Sequence, residues 1–171
     1  ATGPSISVGS AIKGLYYNLG SGPSTNQSTT VTGSSLEADI TLDAPTNFEI
    51  STDNSSFSNS VTLSSSGNIV NSTTIYARLK SGLSINSYSG NITASSTNAT
   101  NQTISLSGSV AGPTISVGSA ISGLNYGSGS GGPSTSQSTT VSGSALVANI
   151  TVSAPTNFEV SIDNSSFSDS V

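Results

Sequence analysis

Residues 44–61 read APTNFEISTDNSSFSNSV and residues 154–171 read APTNFEVSIDNSSFSDSV, identical at 15 of 18 positions. The likeness runs well beyond that stretch. GPSISVGSAI at 3–12 returns as GPTISVGSAI at 112–121, an offset of 109, and GPSTNQSTTV at 22–31 returns as GPSTSQSTTV at 132–141, an offset of 110. One residue enters between them, where NLGS gives way to GSGSG, and the offset then holds at 110 to Val171. Repeats of roughly 20–50 residues build solenoids, in which neighbours complete each other's core. A unit of about 110 residues is domain-sized and closes its own core. The chain therefore reads as one complete copy over residues 1–111, followed by residues 112–171 as the N-terminal half of a second, with nothing in it that corresponds to residues 62–110.

Within a copy, apolar residues recur at every second position, the period of a strand with one buried face. Leu36, Ala38, Ile40 and Leu42 point one way, Glu37, Asp39, Thr41 and Asp43 the other. Phe48 and Ile50 share a face; Ile75, Ala77 and Leu79 face in while Tyr76, Arg78 and Lys80 face out. Tyr88, Ile92 and Ala94 form another set, as do Ile104, Leu106 and Val110, and shorter runs lie near residues 6, 16, 29 and 62. Between the runs stand Ala-Pro-Thr-Asn, Asp-Asn-Ser-Ser, Ser-Gly-Asn and Lys-Ser-Gly, whose residues reach positive φ or fold a side chain onto the backbone. No stretch of a dozen residues carries a helical period, and the good helix formers are sparse. The expectation is an all-β chain of tandem immunoglobulin-like antiparallel β-sandwiches, seven to nine strands each, the second incomplete.

Composition removes whole classes of chemistry. The chain has no Cys, His, Met or Trp, and only 3 Lys and Arg against 8 Asp and Glu. Without His or Cys there is no Ser-His-Asp or Cys-His nucleophile, no ordinary zinc site and no disulfide frame. Three cations are no footprint for nucleic acid, and no run of about 18 apolar residues is present to span a membrane. The expectation is a protein that is not an enzyme and that takes no cofactor or metal. Ser and Thr number 42 and 21, so hydroxyls and amides do the solvating that charges do in most soluble domains. Such a surface is insensitive to salt and lets neighbours pack closely without repulsion.

The strings PTNFEIS, IYARLKSGL and YSGNI, with the text around them, resemble the tandem immunoglobulin-like repeats of large secreted and surface proteins from Bacteroidetes-type bacteria. The likeness covers nearly all of the first copy and all of the second. It implies an extracellular or cell-surface location and a long adhesin-like or fibrous array; it brings no catalytic residues. Asp169-Ser170-Val171 is similar to the Asp-Ser/Thr-aliphatic pattern of O-glycosylation in those bacteria, which marks Ser170 as a glycan acceptor; the first copy has Asn59-Ser60-Val61 there. Eight of the 15 Asn lie in Asn-x-Ser/Thr, little more than such a Ser/Thr-rich chain yields by chance.

Other candidate sites read as structure. Glu37, Asp39 and Asp43 form an outward acidic set, but the second copy replaces them by Val147, Asn149 and Ser153, and no calcium loop accompanies them. Asp53 and Asp163 each open an Asp-Asn-Ser-Ser stretch, the mark of an Asx-turn. GSGSGG at 127–132 precedes no helix, so it lacks the context of a phosphate loop. Tyr16 and Tyr17 together suggest a sugar-stacking face, set against a tyrosine that packs its ring and keeps its hydroxyl in water. Arg78 and Lys80 read as solvated outer-face cations.

Three residues, Ala111 to Pro113, separate the last expected strand of one copy from the first of the next, a span of roughly 10 Å with φ fixed at the proline. Successive copies are expected end to end, as a rod. Half a sandwich exposes apolar faces and unpaired edges. It is expected to be completed by more of a longer array, to take strands from another chain, or to fray. The functional expectation is a fibre, stalk or adhesin shaft, with neighbouring repeats or identical chains as partners and covalent glycans or surface polysaccharide as companions. The alternatives are a filament subunit completed by strand exchange and a glycan-binding module with Tyr-lined loops.

Overall fold

The computed structural model describes residues 3–171. Their regular structure is all β, and the chain divides between Gly112 and Pro113 into two units. Nine strands make the first: β1 (Ser5–Val8), β2 (Ile12–Asn18), β3 (Gln27–Ser34), β4 (Ile40–Asp43), β5 (Phe48–Ser51), β6 (Ser60–Leu63), β7 (Val70–Leu79), β8 (Asn86–Ser95) and β9 (Gln102–Ala111). One sheet has the order β1-β3-β7-β5, the other β2-β9-β8-β4-β6.

Both sheets turn their apolar alternates onto one core, the two-layer arrangement of a β-sandwich. Ile6, Val31, Phe48, Ile50, Ile75 and Leu79 come from the first sheet; Leu15, Ile40, Leu42, Ile92, Ile104 and Leu106 come from the second. The in-out assignments along β4, β5, β7, β8 and β9 follow the period of two, apart from Ala38, which lies before β4 and is half-buried, and Ser51, expected on the outer face of β5 with Glu49 but fully buried, its hydroxyl bonded to Asp53. Each of the four turn signals holds a residue at positive φ: Asn47 at 74°, Asn54 at 60°, Gly67 and Asn68 at 59° and 66°, and Gly82 at 75°. Short amide side chains and glycine tolerate that left-handed region, which is why these tetrapeptides interrupt the strands where they do.

One pairing departs from the antiparallel expectation. β2 runs parallel to β9, from Ile12 opposite Leu106 to Asn18 opposite Ala111, with a register shift between Ile12 and Leu15. A two-residue hairpin forces its strands antiparallel, but no short connection joins β2 to β9, so their parallel direction follows from the crossing that leads into β2. The chain reaches β2 by crossing from the first sheet to the second over Gly9–Ala11. Gly9 permits the crossing: its amide donates to Thr30 O at 2.8 Å, and a Cβ there would lie 2.5 Å from Thr29 Oγ1.

The second unit has two strands, β10 (Thr114–Val117) and β11 (Val141–Ser144), paired antiparallel in the register of β1 on β3. Local features of the first unit recur in it. Gly118 N donates to Thr140 O at 2.7 Å, as Gly9 does to Thr30; Ala145, Asn157 and Asn164 take the positive φ of Ser35, Asn47 and Asn54. Residues 121–127, 137–140 and 158–161, which match strand residues in the first unit, form no strand here. In the first unit those segments pair with β9 and β7, and residues 113–171 contain no counterpart of either. No residue of the second unit is buried: Phe158 is 50% exposed where Phe48 is 0%, and Tyr126 is 63% exposed where Tyr17 is 5%.

Candidate functional site

The carboxylates are engaged locally rather than gathered. Asp53 Oδ1 accepts from the amides of Ser55 and Ser56 and from the Ser51 hydroxyl, each at 2.8 Å. Asp163 repeats this with Ser165, Ser166 and Ser161. These are Asx-turns, each capped across by an antiparallel bridge, Ile50 to Ser58 and Val160 to Ser168. The backbone amides of Ser56 and Ser55, with the Ser51 hydroxyl, hold the Asp53 carboxyl well below the usual carboxylate range. A depressed native value means that ionisation favours the folded state above the unfolded value, about 3.9, and that this help is lost as pH falls toward the native value. Acid unfolding of the first unit, followed by tyrosine near-UV circular dichroism, should therefore be shallower below about pH 4 in Asp53→Asn than in the natural chain. An unchanged slope would remove Asp53 from the acid response.

The outward acids go separate ways. Asp39 Oδ1 accepts from Ser65 N at 2.8 Å and Glu37 Oε2 from Asn98 Nδ2 at 2.6 Å, while Asp43 lies exposed at the end of β4. Among the described residues no three acidic groups converge as metal ligands. The loop at 127–132 precedes no helix and carries Gly129, Gly131 and Gly132 at positive φ. Ser170 is exposed, and its carbonyl accepts from the Ser168 hydroxyl at 2.6 Å.

Two sequence readings of single residues change. Tyr16 and Tyr17 cannot form one stacking face, because alternation along β2 puts Tyr16 outside at 49% exposure and Tyr17 inside at 5%. The Tyr17 hydroxyl is not in water: it donates to Lys80 O at 2.8 Å and accepts from Leu83 N at 3.1 Å. Arg78 is more than a solvated cation. Its Nε lies 2.7 Å from Glu49 Oε1, and its guanidinium sits 3.8 Å from the centre of the Phe57 ring. The register of β5 on β7 sets Glu49 directly opposite Arg78, and opposite charges across a strand pair were the available signal.

Among the described residues, these contacts have a counterpart in the second unit with the character of a binding site. In the first unit, Tyr17, Ser24, Glu49 and Phe57 all grip β7 or the turn after it. Ser24 contributes by accepting from Leu79 N through Oγ at 3.0 Å and donating its amide to Leu79 O at 3.2 Å. Their second-copy counterparts are Tyr126, Ser134, Glu159 and Phe167. Tyr126, Ser134, Glu159 and Phe167 line a single open groove of about 1010 Å3, together with Ile121 and Phe158. The groups that they grip in the first unit have no counterpart in residues 113–171. Sequence reading aligned the two copies but gave none of these four residues an anchoring role, since none is recognisable until its partner on β7 or the turn after it is seen.

No family model matches the chain, and no curated protein matches it.

Proposed function

We propose that this is a non-catalytic structural protein of the bacterial exterior, whose immunoglobulin-like tandem modules form the shaft of a fibre, stalk or adhesin. The observation that supports it most is the parallel pairing of β2 with β9. The chain enters the first unit through β1, a four-residue strand on the edge of the other sheet, crosses straight into the start of β2, and leaves at the end of β9. Tension applied through the two ends therefore pulls these strands past each other along their length. All the hydrogen bonds between them share the load, whereas an antiparallel pair pulled from one end opens bond by bond. A module that carries tension along its own chain is suited to a shaft. The hydroxyl-rich, nearly uncharged surface and the two-residue step from β9 to β10 fit the same role. The resemblance to secreted and surface repeat proteins supplies the location, and exposed Ser170 is proposed as a site of O-linked sugar. An unmodified mass for the peptide spanning Ser170, from the native source, would end that part.

Pulling the full chain by its ends in a single-molecule force experiment tests the mechanical reading, because forced unfolding reads the rate of breaking rather than the equilibrium stability. The second unit, with no buried residue, should extend without a peak. The first should resist and then give way in one step that frees roughly 330–360 Å of chain, the contour of about 100 residues from Ile12 to Ala111. Gradual opening of the first unit at low force would sink the proposal.

A further inference from the structure

We infer that the first unit binds the first unit of a second copy of this chain side by side: the outward ridge of Tyr76, Arg78 and Lys80 in one copy lies on the serine groove and Asp43 of the other. Ridge and groove belong to opposite sheets of the sandwich, and both are built within residues 3–112. The inference stands apart from the mechanical role, which concerns one chain pulled by its ends.

The outer face of the sheet β2-β9-β8-β4-β6 is made of short polar side chains. Across β8 and β9, Ser87 stands opposite Ser109, Ser89 opposite Ser107, Asn91 opposite Ser105 and Thr93 opposite Thr103. No residue from 86 to 111 is charged. Beside the four serines, the register shift between Ile12 and Leu15 places Gly14, which has no side chain, and a shallow groove of about 390 Å3 opens over them. Tyr16, exposed and opposite Ser109, offers an aromatic neighbour to a ring that enters it. Further along the face Asp43 is exposed, opposite Thr93. The other sheet presents the converse. Its inner strand β7 carries the large outward side chains Tyr76 and Arg78, with Lys80 at the next alternate position, while the neighbouring β3 sets only Ser28 and Thr30 opposite Tyr76 and Thr74. Arg78 is paired with Glu49, the one ion pair among the described residues, so Lys80 and Asp43 each have their charge left to meet an opposite one on another molecule.

The two faces match in spacing as well as in charge. Tyr76 to Lys80 is four residues along β7 and Ser89 to Thr93 four along β8, roughly 13 Å in each case. Asp43 lies one strand beyond Thr93, about 4.8 Å to the side. With the Tyr76 ring in the groove, Lys80 therefore reaches Asp43 when the strands of the two copies cross at roughly 20–30°, close to the angle at which aligned sheets pack. The hydroxyls around both groups allow close approach without repulsion, and two isolated charges on such faces fix the register and penalise the arrangements that bring like charges together. The second copy of the repeat has Ser153 in place of Asp43, so the register is specific to the first unit. Because ridge and groove differ, each bound copy still offers one of each, and the association continues as an open lateral stack.

Light scattering of the full chain over a concentration series at low salt measures the association. Lys80→Glu and Asp43→Lys should each weaken it by about 3- to 10-fold, because each sets like charges face to face. An equimolar mixture of the two variants should regain the natural strength within about twofold, since the reversed ridge of one then meets the reversed face of the other. In about 1 M salt, where the screening length is about 3 Å, the natural chain and both variants should converge. Any self-association through the second unit is common to all of these chains and drops out of the comparison. A natural chain whose mass does not grow with concentration would refute the docking. Single variants that associate as strongly as the natural chain would place any association on other surfaces and refute it equally. A mixture that stays as weak as its separate components would refute the facing of Lys80 and Asp43.

Discussion

Phe48→Ala should unfold the first unit or bring it close to unfolding, while the same change at Phe158 should leave the second unit almost unaltered. The two phenylalanines lie in the same sequence, Ala-Pro-Thr-Asn-Phe-Glu, and follow the same turn at positive φ. Phe48 is fully buried among side chains of both sheets; Phe158 is half exposed at the floor of an open groove. Removing a buried phenylalanine takes away its transfer free energy and leaves a cavity, a loss of about 3–5 kcal/mol. A domain of this size has about 5–15 kcal/mol in all. At Phe158 there is no packed core to lose, so the change should lie within about 0.5 kcal/mol, as for a surface position. Thermal unfolding of the two variants, followed by tyrosine circular dichroism, measures the contrast. Equal losses would mean that the second unit has a core of its own.

Gly108→Ala should separate β2 from β9. Gly108 is paired with Leu15 across the parallel ladder, and a Cβ on it would meet the Leu15 carbonyl oxygen closely, with Leu15 Cβ at 2.9 Å and Leu79 Cδ1 at 2.8 Å. The oxygen belongs to the backbone and the Leu15 Cβ is fixed directly to it, so neither can swing aside and the strand itself must move. Overpacking of this kind costs about 1–3 kcal/mol, and more where backbone is displaced. The resistance of the first unit to pulling should fall by more than its equilibrium stability does, because the ladder that bears the load is the part disturbed. Ser107→Ala, next in the strand at a half-buried position, adds no atom and is the control; it should change neither. A Gly108→Ala variant that loses stability while keeping its full unfolding force would show that the load runs elsewhere.

How much of this was legible in the sequence follows from the range of each interaction. The turns were legible because each is closed by its own residues: the Asp53 carboxylate finds the amides of Ser55 and Ser56 two and three positions on. The same closure at Asp163, in a unit without a core, shows that no tertiary packing is needed for it. The inward faces of β7 and β9 were legible because a period of two survives in any pairing. The parallel direction of β2 on β9 was not, since it depends on residues some ninety positions apart with no turn between them. Nor was the Glu49–Arg78–Phe57 cluster, in which three elements meet. For Tyr16 and Tyr17 the sequence offers both a shared sugar-stacking face and a ring packed inside; alternation along β2 assigns the neighbours to opposite faces, and Tyr17 takes the packed place.

The near-identity of residues 44–61 and 154–171 has a consequence for how such a chain reaches its native state. The donor segment β7–β9 lies in sequence between two stretches of nearly the same text, its own host at residues 3–61 and a later host at residues 113–171, and capture by the wrong host is the characteristic error of adjacent similar repeats. Emergence from the ribosome breaks the tie: the earlier host and its donor are both available before the later host has been made. Chemically denatured chains, released all at once, have no such precedence and must sort the two outcomes by trial.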